Sequence, residues 1–297
     1  MEKKHEILLL LFITVCTITV VSNIYYNQFL KIDPQYKLYK YVTENQNIKT
    51  KYTPPKYTST TVIPKKLFQT WHTRELPPSM VKAVNKIKTD NPELEYYLFD
   101  EDDCLQFIKH HFTDDVVNAF VKLVPGAYKA DLWRYCVMYI HGGVYLDIKY
   151  QCIDGFKLID IMDKERFVLE RPNHWKPESY GIYNALIIAK PKNPIFLDCI
   201  KRIVKNTQTN YFGFNELYPT GPGLVGDLYF NNIKENIEKI HDFDLFFTMV
   251  GKQDCIVYKN AIILKSYSDY RQEQAKYQTK KHYTQLWREG HIYELEN

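Results

Sequence analysis

No two of the six cysteines in this 297-residue chain stand two to four residues apart, so the paired-cysteine spacing of a zinc site is absent. Cys16 falls in an apolar segment, and the other five, being odd in number, cannot all pair with one another. The redox compartment therefore stays open. The run GPGLVG at Gly221–Gly226 lacks the lysine and the hydroxyl of a phosphate loop and reads as a turn ahead of a helix. No Asn-x-Ser/Thr acceptor occurs, which by itself says little about compartment. Tyrosines and basic residues interleave from Tyr267 to Tyr283, but no nucleic-acid module accompanies them, so the stretch reads as a solvated amphipathic helix or a flap. A composition of 45% hydrophobic, 25% charged and 15% aromatic residues is ordinary for a globular chain. It leaves out wholesale disorder, a collagen-like repeat and a small disulfide scaffold.

Charge is also missing from the whole stretch Ile7 to Leu30. Residues 7–26 are mostly apolar and have about the ~20-residue length that crosses a hydrocarbon core, with Tyr25 and Tyr26 suited to an interfacial belt. A cleaved signal peptide is the rival, without a small-x-small cleavage site to support it, and a buried core helix is the third reading. The expected organisation is a short tail at 1–6, a transmembrane signal anchor at 7–26, a stem at 27–61 and one domain over 62–297, which has no further linker or repeat. Lys3, Lys4 and the amino terminus oppose Lys31, Lys37 and Lys40, so the positive-inside count ties. Long C-terminal domains translocate largely regardless of charge, which favours a type II, single-pass protein with its domain on the lumenal side of an endomembrane such as the Golgi. The formal charge of +4 lies wholly in residues 31–61, beside the membrane, where lipid headgroups are the natural counter-charge. No nucleic-acid partner is expected.

Within the domain, strand and helix signals alternate. Lys66–Trp71, Glu95–Phe99, the run VYLDIKY and Ala185–Ala189 read as strands. Ser79–Lys88 has helical spacing, Asp100 caps a helix over Glu101–His111, another begins near Asp114, and Ile195–Val204 reads as a further helix. Pro125 opens a helix that Gly142 stops. This alternation predicts an α/β fold with a mostly parallel sheet flanked by helices. The acidic pairs Asp102–Asp103 and Asp114–Asp115 read as helix caps and not as a hydrolase dyad.

The stretch ADLWRYCVMYIHGGVYLDIK, Ala130–Lys149, sets Asp131 and Arg134 on one helical face and delivers Asp147 at the carboxyl end of a strand, where open α/β sheets bind ligands. Taken singly, these residues describe a surface ion pair and an ordinary strand-end aspartate. Together they form a motif that resembles the DXD-type glycosyltransferases of the initiating mannosyltransferase and α1,4-galactosyltransferase kind, related to the glucosylating clostridial toxins. IPKKLFQTW, NPELEYYLFDEDD, YNALIIAKPKNPIF, TGPGLV and HYTQLW resemble further family segments in the same order, so the likeness spans about Ile63 to Trp287.

The resemblance implies a GT-A fold and transfer of a hexose, with retention of configuration, from a nucleotide-sugar donor to a glycan or glycolipid acceptor. By similarity, Arg134 meets the diphosphate, Asp131 the donor-sugar hydroxyls and Asp147 the sugar or ribose. Gln69, Thr70 and Tyr145 join the donor site, while Trp71 either flanks the nucleobase or belongs to the core. Asn184, His282 and Trp287 close the site, although Leu286 stands where the family usually has serine. These residue types suit the chemistry, since a guanidinium fork matches phosphate oxygens and a carboxylate accepts from vicinal hydroxyls. One position departs from the family, because Lys149 replaces the second motif aspartate, which usually ligates Mn²⁺ or Mg²⁺. An ammonium repels a divalent cation there. Three readings follow: Lys149 neutralises the diphosphate itself, another carboxylate or His282 completes a rearranged metal site with Asp147, or the protein binds sugar nucleotide or glycan without turning it over.

Overall fold

A computed structural model describes residues 21, 52–53, 61–153, 155–171, 181–231 and 243–294. The anchor expected at 7–26, Val21 excepted, and most of the stem lie outside the described residues. Among the described residues no helix is long and apolar enough to cross a membrane. Tyr52, in the segment read as stem, is buried edge-on against Phe156.

The first strand, β1 (Lys66–Thr70), runs parallel to β2 (Glu95–Phe99) after a crossover through helix α1 (Pro78–Asp90). Helix α2 (Glu101–His111) starts on a capping box in which Asp100 accepts from the Asp103 backbone at 2.9 Å and Asp103 accepts from the Asp100 backbone at 3.0 Å. Asp100 was legible as a cap because the box satisfies two backbone N–H groups that the helix leaves open. Helix α3 (Asp114–Lys122) leads to α4 (Gly126–His141), and strand β3 (Gly143–Leu146) follows after one residue.

That single-residue link needs glycine. Gly142 has φ +60°, and a Cβ there would lie 2.5 Å from the Pro191 nitrogen. Gly143 has φ +98°, and its Cβ would lie 2.7 Å from the Lys66 carbonyl oxygen. The pair turns α4 directly into a strand that lies parallel to β1.

The remaining strands are β4 (Tyr150–Cys152), β5 (Arg166–Leu169), β6 (Ile182–Ala189), β7 (Leu245–Val250), β8 (Gln253–Tyr258) and β9 (Ala261–Ser266). The nine described strands form one sheet in the order β2-β1-β3-β6-β5-β7-β8-β9-β4. Helices α5 (Pro194–Gln208), α6 (Pro222–Asn231), α7 (Tyr270–Tyr277) and α8 (Tyr283–Arg288) complete the described elements. One face of the sheet buries a cluster that includes Leu67, Val144, Leu186, Ile256 and Leu264, while α4 packs on α5 elsewhere.

Two expectations require correction. The sheet is mixed and not mostly parallel: β1 pairs in parallel with β2 and β3, and β5 with β7, but β3–β6, β5–β6, β7–β8, β8–β9 and β4–β9 are antiparallel. For β7–β8 and β8–β9 the reason is local, since Gly251 (φ +62°), and then Lys259 and Asn260 (φ +46° and +66°), make hairpin turns that need no crossover. Likewise VYLDIKY is not one strand. Strand β3 ends at Leu146, the Tyr150 backbone N–H closes a turn on the Asp147 carbonyl at 3.1 Å, and β4 pairs with β9 at the far edge. The GPGLVG run is also largely helical, since α6 begins at Pro222.

Candidate functional site

Helix α4 supplies Asp131 and Arg134, and the turn after β3 supplies Asp147 and Lys149. Arg134 is buried and makes several contacts at once. It donates to the Asn184 carbonyl at 2.7 Å and lies 3.2 Å from Asp131 and 3.5 Å from Asp147. Its guanidinium carbon sits 4.5 Å from the centroid of the Tyr145 ring. Desolvation opposes its charge, but Tyr145, Asp131 and Asp147 outweigh that and raise its pKa. The fork is therefore a fixed cation.

Asp131 stands behind it. One carboxylate oxygen accepts from Asn184 Nδ2 at 2.8 Å, and the other accepts from the Thr220 hydroxyl at 2.7 Å. Burial raises its pKa, against the opposing pull of Arg134, Thr220 and Asn184. Both oxygens already have protein partners, so Asp131 orients Arg134 in this arrangement.

Asp147 is the more open carboxylate. It accepts from the Tyr145 hydroxyl at 2.9 Å, and Gln69 donates to its backbone carbonyl at 3.4 Å while accepting from the Tyr96 hydroxyl at 3.0 Å. Lys149 points inward, with its side chain only 9% exposed. Its Nζ donates to Asp254 at 2.8 Å and lies 3.6 Å from Asp147, with the rings of Tyr150, Tyr183 and Tyr270 around it. Desolvation would lower the lysine pKa; Tyr183, Asp147 and Asp254 outweigh it and hold the ammonium charged.

A cleft of about 750 Å³, open to solvent, runs past these groups. Thr70, Trp71, Arg134, Tyr145 and Asp147 line it, and His72, Lys129, Tyr270, Gln274 and Gln278 line it too. Trp71 has a buried indole N–H with no protein acceptor among the described residues. Gln69, Asp131, Asn184 and Lys149 support the wall from behind. His282 and Trp287 do not line the cleft: His282 caps α8 by accepting from the Thr284 N–H at 3.3 Å, and Trp287 donates to the Phe212 carbonyl at 2.7 Å.

Asp254 and Arg271 were missed from sequence. Asp254 lies in the strand QDCIVY, where an acidic residue in an otherwise apolar run must be paired if buried. That was the available signal.

Arg134 and Asp147 line one cleft, while Asp131, read from sequence as meeting the donor-sugar hydroxyls, stands behind Arg134 with both oxygens on protein partners. Residues 77–168, which contain the twenty-residue motif, match the family described as glycosyltransferase sugar-binding region containing DXD motif. Over that segment the chain is similar to the family. The matched region runs from α1 into β5, and so carries Asp131, Arg134, Asp147 and Lys149 but not Asp254. Among curated relatives, the initiation-specific alpha-1,6-mannosyltransferase of Candida albicans is 24% identical, aligned over 61% of this chain and 57% of its own length. A mannosyl phosphorylinositol ceramide synthase of Saccharomyces cerevisiae is 27% identical over 57% of this chain and 41% of its own. The chain thus spans about half the length of the curated relatives it matches. The solved PaToxG glycosyltransferase is 16% identical, with a TM-score of 0.43 over 68% of this chain and 80% of that one.

Proposed function

We propose that this chain is a GT-A-type retaining glycosyltransferase that moves a hexose from a nucleotide sugar to a glycan or glycolipid acceptor, anchored in an endomembrane by residues 7–26. The observation that carries the reading is Arg134, held by Asp131 and the Asn184 carbonyl so that a rigid guanidinium lines the cleft beside Asp147. Glycosyl transfer builds negative charge on the departing diphosphate and positive charge on the anomeric carbon. Arg134 meets the first and Asp147 the second or the hydroxyls next to it. Trp71 lines the same cleft with an unsatisfied N–H, which suits a nucleobase that offers a carbonyl.

The test is release of nucleoside diphosphate by the full-length protein incubated with UDP-glucose, UDP-galactose and GDP-mannose. Turnover is expected with one of them, lost in Asp147→Asn and retained in Asp102→Asn. Binding without release in every case would replace the transferase reading with a catalytically silent sugar-nucleotide-binding one.

A further inference from the structure

The family expectation of a divalent cation can be set against the donor set at this site. Mg²⁺ or Mn²⁺ takes about six ligands, largely oxygens, at roughly 2.1 Å. The space between Asp147 Oδ2 and Asp254 Oδ2 is already occupied by Lys149 Nζ, at 3.6 Å and 2.8 Å. Beyond it lie aromatic faces and not oxygen ligands: the ring centroids of Tyr150, Tyr183 and Tyr270 are 5.3, 5.5 and 5.7 Å from the ammonium. The same Asp254 oxygen also meets Arg271 at 3.3 Å. No group of three His, Cys, Asp or Glu side chains that could hold a metal occurs among the described residues. The residues present do not fit a divalent cation.

Charge balance leads to the same place. Arg134, Lys149 and Arg271 face Asp131, Asp147 and Asp254, three cations against three carboxylates. Glu170, the next acid toward Lys149, has its own partner in Arg171 at 3.6 Å. The cluster is neutral as it stands. Replacing the lysine by an aspartate would change the sum by two negative charges, the charge of one divalent ion. Lysine at 149 and a metal at 149 are alternative solutions to one electrostatic problem.

We propose that Lys149, fixed by Asp254, is the built-in cation of this site, holding Asp147 in place where a divalent metal would otherwise do so, so that sugar-nucleotide binding needs no metal. Lys149 does not line the cleft, so it is a positioning residue that acts through Asp147. Asp254 and Arg271 make the substitution stable, because a lone ammonium could not remain charged in so enclosed a place. The inference rests on reading the cleft as a sugar-nucleotide site.

Two measurements on the full-length protein test it. The first is Mn²⁺ binding followed by electron paramagnetic resonance with no donor present, in the native protein and in Lys149→Asp. The native protein is expected to show no saturable Mn²⁺ binding, and Lys149→Asp to gain it. Saturable binding by the native protein that Asp147→Asn abolishes would overturn the proposal. The second uses the native protein alone and stays decisive should Lys149→Asp fail to fold. Affinity for UDP-glucose, UDP-galactose and GDP-mannose is measured in excess EDTA and in Mn²⁺, and is expected to be the same. A gain of about tenfold or more with Mn²⁺, roughly 1.4 kcal/mol of coupling, would overturn the proposal. If none of the three nucleotides binds, the transferase reading fails while the Mn²⁺ measurement still decides the role of Lys149.

Discussion

Asp254 is 4% exposed and accepts from two cations on different elements, Lys149 of the turn before β4 and Arg271 of α7. A buried pair of this kind contributes little beyond what well-packed apolar residues would, but breaking it leaves a charge without a partner. Asp254→Ala strands the Lys149 ammonium with only Asp147 at 3.6 Å. The expected cost is about 3–5 kcal/mol in a denaturant titration, and Lys149→Met in the same background should recover most of it, since the stranded charge is then gone. A double variant as unstable as Asp254→Ala alone would show that Asp254 acts through packing. The knot around Asp131 follows the same logic with hydrogen bonds in place of a second ion pair, since Asn184 shares one oxygen with Arg134 and Thr220 holds the other.

Helix α7 closes one side of the cleft through Tyr270 and Gln274, with Gln278 just past its end, although none of its residues is fully buried. Polar latches hold it. Glu273 accepts from the backbone N–H groups of Ser79 and Met80, at 2.8 and 3.2 Å, and so caps α1 from across the chain, while the Tyr267 hydroxyl donates to it at 3.0 Å. Desolvation pushes the Glu273 pKa up, but these hydrogen bonds outweigh it, so its folded pKa lies below the ordinary 4.5. A carboxyl depressed in this way contributes stability that is present above pH 4.5 and lost as pH falls through the folded value. Amide exchange over residues 270–277 is therefore expected to quicken as the pH falls below 4.5, once corrected for the intrinsic rate. In Glu273→Gln it should be fast at neutral pH as well. Equal protection in the native protein and the variant would show that the latch holds nothing. Start and stop signals close in sequence made the N-terminal elements legible: Asp100, Pro125 and Gly142 act within a turn or two of themselves. The partners of Glu273 and Asp254 could not be read, because each meets its mate only after the sheet has curled.

At the scale of the molecule, the five cysteines among the described residues are all buried and free, and desolvation raises each thiol pKa. Nothing in the described fold depends on oxidation. The thermal midpoint is expected to be the same with and without dithiothreitol, and a lower midpoint under reduction would show a disulfide that this arrangement does not contain. Arg134, Asp131 and Asp147 were legible because one contiguous motif carries them. The mixed sheet was not, because VYLDIKY has the composition of a single strand and the chain breaks it by geometry, sending β3 to the middle of the sheet and β4 to its edge.

That break governs the order in which the protein can be assembled. Lys149 reaches Asp254 across 105 positions, and β4 has no pairing partner until β9 exists. Contacts so distant in sequence form late, after the local helices and the strands of the motif. On the ribosome, the segment that bears Arg134 and Asp147 emerges long before the hairpins that fix Lys149, so a chain stopped short of Ser266 holds the motif without the site. Completion of the last hairpin is what brings Lys149 and β4 to their partners, and a protein truncated in β8 or β9 would lack one or both however well its first half had folded.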